Sequence, residues 1–423
     1  MASISGPGTD PGHVGVIGAG IVGVSTALYL QRDGRRVTLI DAGRPGEGTS
    51  FGNAAVIAAG SAEPVAMPGI IWRVPGMLMD PLGPLAIRWR YLPKLLPWLA
   101  QFVLASRHWR VEEHSKALAA LSKRSLDAYR TLTGAIGIDD MIREEGWLSV
   151  YRSDAGFAGA KEELDLLARR GMKFEILKRE EIRQFEPTLG DRFEHAVWHR
   201  EHAHTVDNFL LVQKLAQHFV ANGGTILRER ALDFVIGADG PTHIVTERGR
   251  HAVDAVVVAA GAWSKNLAAK LGHWVPLETE RGYHVMLPHA GVAPRMPIHM
   301  GDHGFVATPL AGGLRFAGTV ELGGLDLPPN WRRAEVLLKD GRRVFPTIDT
   351  TDRRYWMGFR PSVPDSVPVI SRGARHPNTY FAFGHGHLGL TYGAVTGRLI
   401  ADMMAGRDPG LDMTPFRIDR AWN

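Results

Sequence analysis

The spacing of apolar residues changes period twice within the first forty positions. "HVGVIG", from His13, is a short continuous apolar run ending in glycine, the pattern of a buried parallel strand. "IVGVSTALYLQRDG" then sets Val24, Ala27, Leu28 and Leu30 on one helical face, with Gly34 as the stop. "RRVTLID" returns to a strand, closed by Asp41. Strand, helix and strand in this order predict a parallel βαβ unit.

Further along, helical periods run through "HSKALAALSKRSLDAYRTLTGAIG", "AGAKEELDLLARRG" and "VDNFLLVQKLAQHFVANGG", the last with Asp207 as candidate N-cap. "GWLSVYRS" reads as a half-buried strand, and "MKFEILKREEIRQFEPTL" as a strand and a short helix ended by Pro187. "DAVVVAAGAWS" reads as a buried strand running into a small-residue turn. From Arg281, "RGYHVMLPHAGVAPRMPIHMGDHGFVATPLAGGLRFAGTVEL" has the short strands and turn residues of an antiparallel meander. "TYFAFGHG" and "LGLTYGAVTGRLIADMMAG" close the chain with a strand and a helix. Nucleotide-type βαβ signals at both ends and in the middle, with antiparallel signals between, predict an α/β and α+β fold. A discontinuous Rossmann-like domain (13–65, 190–270 and 350–423) is interleaved with an antiparallel-sheet substrate domain (66–189 and 271–349), after a disordered tail at 1–12.

The turn after the first strand carries the first chemistry. Gly18, Gly20 and Gly23 form G-x-G-x-x-G between a strand and a helix. The first glycine permits the tight turn, the second lets backbone approach a pyrophosphate, and the third lets helix pack on strand. The helix start favours a diphosphate. An acid at Asp41 suits ribose hydroxyls and disfavours a 2′-phosphate. The motif alone leaves FAD and NAD both open. After it, "AGRPGEGTSFGNAAVIAAG" is a loop of small residues in which Ser50, Gly52 and Asn53 offer contacts beside a pyrophosphate.

Composition narrows the rest. The 423 residues are 45% hydrophobic and 22% charged, with net charge +5 and no cysteine. That excludes disulfides, thiolate metal sites and cysteine nucleophiles. No Lys/Arg block points to nucleic acid, and no apolar stretch is long enough to span a bilayer. No metal site is expected: His195, His199, His202 and His204 in "HAVWHREHAH" lack a partnering cysteine, and strand periodicity splits them across a turn. No G-x-S-x-G or H-E-x-x-H motif supports a hydrolase. Residues 66–110 mix Trp, Met, Leu and Pro with Arg and Lys. That mix fits a peripheral contact at a membrane interface, but packing on the protein's own core or on a second subunit is the favoured reading. The expected location is cytoplasmic, with the inner membrane face as the candidate contact.

Taken together, "VIGAGIVGVSTALYL", "TSFGNAA", "VVVAAGAWS", "RGYHVML", "GFRPSVPDSVPVI" and "FAFGHGHLGLTYGAVTGRLIADMM" resemble the FAD-dependent D-amino-acid oxidase and dehydrogenase superfamily, in particular the bacterial D-amino-acid dehydrogenases. They run in family order from about Val14 to Gly406. The resemblance implies FAD as cofactor. Gly18, Gly20, Ile21, Val22, Gly23, Asp41 and Ala42 are implied around its ADP half. Ser50, Asn53 and Ala54 are implied near the pyrophosphate or flavin, and Ala260, Gly261 and Trp263 near the diphosphate or adenosine. Gly386, His387, Leu388, Gly389 and Leu390 are implied at the flavin edge, where a helix start would stabilise the charge of reduction.

Arg281, Tyr283 and Arg360 resemble a clamp for the substrate carboxylate, with ion pairing of Arg360 to Asp365 and core packing of Tyr283 as the plainer readings. His284, within "RGYH", has no assigned role. The implied reaction is hydride transfer from Cα of a D-amino acid, with D-proline or a hydroxy-D-proline among the candidates. It gives an imine and passes electrons to a quinone or another acceptor. A sarcosine- or glycine-type secondary-amine oxidase and a non-catalytic FAD-stabilised subunit are the alternatives.

Overall fold

The computed structural model describes residues 12–72, 83, 85–301 and 304–422. The continuous apolar runs become the centre of a six-stranded sheet. Its order is Thr225–Arg228, Arg36–Asp41, His13–Ile17, Ala255–Val258, Thr379–Phe383 and Val369–Arg372. The first five are parallel and the last pair is antiparallel. All of Ala255–Val258 is buried, because helices cover one face of the sheet and a small three-stranded sheet and a short helix cover the other.

Helix Ile21–Arg32 packs on this sheet and against helices His108–Gly134, Asn208–Ala221 and Gly389–Met404 through Val24, Leu28, Leu121, Leu215 and Leu399. Its crossing with Gly389–Met404 is close enough that a Cβ at Gly397 would stand 2.7 Å from the Ser25 carbonyl carbon. Asp207 does cap its helix, accepting from the Leu210 N–H at 2.9 Å.

A nine-stranded, mostly antiparallel sheet forms the second layer. Along it run Arg354–Ser362, Glu278–Leu287, Gly313–Leu322, Phe305–Leu310, Ile298–Met300, Trp147–Tyr151, His195–His199 and Glu175–Lys178, with Leu85–Ile87 beside Gly313–Leu322. Helix Arg332–Val344 covers its core of Val285, Leu287, Phe316 and Leu337. Two of the strands that cross the expected domain boundaries join this sheet. His195–His199 and Arg354–Ser362 fall in segments assigned to the nucleotide half but pair within this sheet, because backbone pairing, not local pattern, selects the sheet a strand joins.

Residues 1–11 of the expected tail, and 73–82 and 84 of the Trp-rich segment, lie outside the described residues. Of the rest of that segment, part packs on the protein itself and part is exposed. Leu95 and Trp98, on helix Leu92–Ala105, pack with Leu322, while Trp72, Trp89 and Trp109 are 85%, 70% and 54% exposed. No helix among the described residues is long and apolar enough to cross a membrane.

The Gly397 contact generates a test. Gly397→Ala puts a methyl against backbone that cannot swing aside, at a cost of about 1–3 kcal/mol. A thermal midpoint lowered by a few degrees is expected, and an unchanged midpoint would mean that the helices can separate freely.

Candidate active site

A cavity of about 1080 Å³ runs between the two sheets, at the upper end of the roughly 300–1,000 Å³ typical of small-molecule pockets. Its nucleotide end is shaped by missing side chains. Gly18 has φ +109°, and a Cβ there would lie 2.3 Å from the Ala259 carbonyl. A Cβ on Gly23 would lie 1.8 Å from the Gly18 carbonyl. These two glycines draw helix and turn onto the strand, and Gly20 leaves the approach open. Asp41 receives the Ala19 and Gly43 N–H groups at 2.7 and 2.8 Å, one on each carboxylate oxygen. Each oxygen keeps a lone pair for a ribose hydroxyl. Ile21, Val22, Ala42, Ala260, Gly261 and Trp263 also line the cavity. The cradle fits the ADP half of a dinucleotide.

The loop Ser50–Ala54 is the next wall. The Ser50 hydroxyl accepts the Ile21 N–H at 3.0 Å, so it secures the helix start. Asn53 turns its amide back on its own loop, donating to the Ser50 carbonyl and accepting from the Ala55 N–H. Four successive carbonyls are then held by four different elements. Asn208 donates to Phe51, His284 to Gly52, Arg315 to Asn53 and Thr308 to Ala54, at 2.8, 2.8, 2.7 and 2.7 Å. Sequence reasoning missed Asn208, Arg315 and Thr308, and left His284 without a role. Their signal is only a polar residue at an inward strand or helix position. Burial, with the Arg315 charge, drives the His284 imidazole down to about 3, so it is neutral. Burial also lowers the Arg315 guanidinium to about 10, which leaves it charged at neutral pH.

The third wall carries the candidate clamp, and the structure divides it. Arg281 is fully buried and does not line the cavity. Its Nε donates to the Gly324 carbonyl at 2.7 Å, and its two terminal nitrogens donate to Leu327 and Pro328 at 2.7 and 3.2 Å. Glu321 stands 3.6 Å away. The guanidinium is consumed by a loop, which corrects the carboxylate-clamp expectation for this residue. Tyr283 borders the cavity, but its hydroxyl donates to Glu321 at 2.6 Å and accepts the Asn330 N–H at 2.9 Å. Burial and Glu321 push it up to about 12. It is a core aromatic with a satisfied hydroxyl.

Arg360 does line the cavity. Its guanidinium makes one hydrogen bond among the described residues, from Nη1 to the Thr319 carbonyl at 3.0 Å. The glycine of the "RGY" motif makes its room: a Cβ on Gly282 would meet Arg360 Nη2 at 2.3 Å. Asp365 pairs with Arg420 instead, at 2.9 Å. Glu280 is the cross-strand neighbour of Arg360, and burial raises its carboxyl against the pull of the Arg360 charge. Trp356, also missed in the sequence, covers Gly52 and Gly358, where a Cβ would come within 2.1 and 2.0 Å of its ring.

Joined to strand Arg354–Ser362 through the turn before it, helix Gly389–Met404 begins at the cavity, and Gly389, Leu390 and Thr391 line it. Their first-turn N–H groups have no partner within the helix and point to an anion or a polarised carbonyl. Gly386 has φ +54°, and its N–H is already donated to the Pro361 carbonyl at 2.8 Å. Leu388 likewise gives its N–H to His385 at 2.9 Å. His387 lines the cavity with its side chain exposed to it, and the surrounding protein and the Arg360 charge lower its imidazole. Of the loose histidine group, His195 pairs with Asp154 at 2.6 Å, while His199 and His202 are buried near Trp147 and held neutral by that burial.

Residues 13–403 match the DAO family, described as FAD dependent oxidoreductase. The chain belongs to this family. A D-amino-acid oxidase of Bradyrhizobium diazoefficiens is 42% identical over 415 residues, covering 96% of this chain and 97% of its own. A D-amino acid dehydrogenase of the same organism is 31% identical over 414 residues, covering 96% of this chain and 98% of its own. The solved glycine oxidase from Geobacillus kaustophilus superposes with TM-score 0.74 at 20% identity, over 97% of this chain and 98% of its own, which speaks to the fold. As a DAO-family protein the chain is an FAD-dependent oxidoreductase, and the glycine cradle fits that cofactor.

The division of the clamp is testable. Arg281→Ala strips three loop carbonyls of their donors and leaves Glu321 with one cation fewer, a loss of about 3 kcal/mol. The denaturant midpoint is expected to fall accordingly. Full stability with a raised KM would return Arg281 to the substrate.

Proposed function

We propose that this chain catalyses oxidative deamination of a D-amino acid, with Arg360 as the group that holds the substrate carboxylate. The observation that carries the reading is that guanidinium on the cavity wall, with donors left over after its one bond to Thr319. A planar fork with free donors suits a carboxylate bidentately. The D-amino-acid part draws support from the Bradyrhizobium oxidase at 42% identity. When bound, FAD would supply the two-electron acceptor, with its ADP half held by the Gly18–Gly23 turn and Asp41.

The residues of the chain do the rest. Arg360 fixes the carboxylate and therefore the orientation of Cα. The first turn of Gly389–Met404 sets a positive dipole end at the cavity, beside the strand that carries Arg360. Trp356 helps to exclude water, which favours the neutral amine whose lone pair becomes the imine bond as hydride leaves Cα. No protein nucleophile is needed.

A quinone or another acceptor takes the electrons in this reading. This reading includes a peripheral contact with anionic lipid, because Trp89 and Trp109 are exposed in a segment that also exposes Arg90, Lys94 and Arg107, and residues 85–110 contain no acid.

The test is anaerobic. A panel of D-amino acids, including D-proline and hydroxy-D-prolines, is expected to bleach the flavin absorbance of the purified protein. Reoxidation by a soluble quinone faster than by oxygen is the dehydrogenase result. A flavin bleached only by sarcosine or glycine would replace the D-amino-acid reading, and one bleached by none would remove the catalytic reading. Arg360→Ala should lower kcat/KM roughly 30- to 1,000-fold, about 2–4 kcal/mol, with FAD retained. Unchanged kinetics would sink the clamp. Co-sedimentation with vesicles of anionic lipid is expected, and a protein left in the supernatant would remove the membrane from the reading.

A further inference from the structure

The turn before helix Gly389–Met404 holds two histidines with opposite fates. His385 is buried, and its Nε2 lies 2.9 Å from the Thr396 hydroxyl of that helix, so its imidazole is engaged inside the fold. His387 lines the cavity with an exposed side chain. Its imidazole makes no hydrogen bond, ion pair or ring contact among the described residues.

The backbone sets His387 beside Arg360. Ser362 and His385 form an antiparallel bridge, and the Gly386 N–H donates to the Pro361 carbonyl at 2.8 Å. Arg360 precedes Pro361 and His387 follows Gly386, so each side chain leaves the chain one residue from that hydrogen bond. Counted along this pairing the two residues fall opposite each other, and opposite Cα atoms in a regular antiparallel pair are about 4.5–5.5 Å apart. Gly386, at φ +54°, turns the chain at this point, and His387 emerges on the cavity wall. The Arg360 charge reaches the imidazole and lowers it, which favours the neutral form.

The two groups complement each other. A guanidinium offers donors only, whereas a neutral imidazole keeps one ring nitrogen as an acceptor. An α-amino acid carries its carboxylate and its amine on one carbon, so anchors for the two must stand side by side. Glu280, cross-strand from Arg360, is a second acceptor on this wall. Burial raises its carboxyl towards the protonated form, and Ser362 engages it. His387 is the acceptor with nothing attached.

We propose that the His387 imidazole accepts a hydrogen bond from the substrate's α-amino group while Arg360 holds the carboxylate, so that the pair recognises an α-amino acid and not a carboxylate alone. The inference rests on the Arg360 reading. An amine held through its N–H keeps its lone pair for the C=N bond that forms as hydride leaves Cα.

Equilibrium binding to the holoenzyme tests this apart from turnover. The probes are 2-aminoisobutyrate, which has both groups but no Cα hydrogen to lose, and pivalate, which has a methyl in place of the amine. Each is read by its shift of the flavin spectrum. His387→Ala is expected to weaken 2-aminoisobutyrate about tenfold and to leave pivalate within about twofold. His387→Gln, whose amide oxygen is also an acceptor, should recover part of the loss. Equal weakening of both probes would overturn the proposal and make His387 a residue of wall shape. If neither probe weakens, the imidazole does not meet the amine, and selective loss of 2-aminoisobutyrate in Glu280→Gln would give that role to the acid. In either case Arg360→Ala still weakens pivalate and the clamp stands. If Arg360→Ala leaves pivalate unchanged, the clamp reading fails and takes this inference with it.

Discussion

Four consecutive carbonyl oxygens, from Phe51 to Ala54, are each held by a side chain from a different element. This arrangement ties the nucleotide half of the molecule to the nine-stranded sheet. Irregular backbone between two sheets has no ladder of its own, and buried carbonyls without donors are costly. His284, Arg315 and Thr308 supply donors from three strands, and Asn208 supplies one from a helix start. The loop in turn secures the helix Ile21–Arg32 through the Ser50 hydroxyl. The cavity depends on that chain of contacts for its shape, because the loop is the wall that both sheets share.

The second constraint is absence of side-chain volume. Gly18 and Gly23 let a helix start sit against a strand end, as the spacing of the motif requires. Gly52, Gly282 and Gly358 do the same for large polar or aromatic neighbours, making floors for Trp356 and Arg360. The first set is readable because it forms a motif of known geometry. The second set is not, because each glycine answers to a side chain on another strand.

The clamp shows the same divide within one short motif. "RGYH" contains an arginine that anchors a loop, a glycine that makes room for a different arginine, a tyrosine with its hydroxyl on Glu321, and a histidine that pins the cofactor-side loop. All four are buried or close to it, and residue type alone marks any of them as candidate chemistry. Only the direction of each side chain from its strand, and the donors left after neighbours are satisfied, separate Arg281 from Arg360.

What the sequence determined by itself is local. Apolar period, glycine spacing and capping residues specify the βαβ unit, the dinucleotide turn, the cofactor-edge helix and the existence of a second, antiparallel sheet. These follow from interactions within a few residues, or from a motif whose spacing is itself the geometry. The tertiary structure decided which sheet Arg354–Ser362 and His195–His199 join, and which arginine keeps donors at the cavity and which is spent on a loop. Those outcomes depend on hydrogen-bond partners and excluded volume from elements far apart in the chain, and such partners exist only once the two sheets have closed around the loop between them.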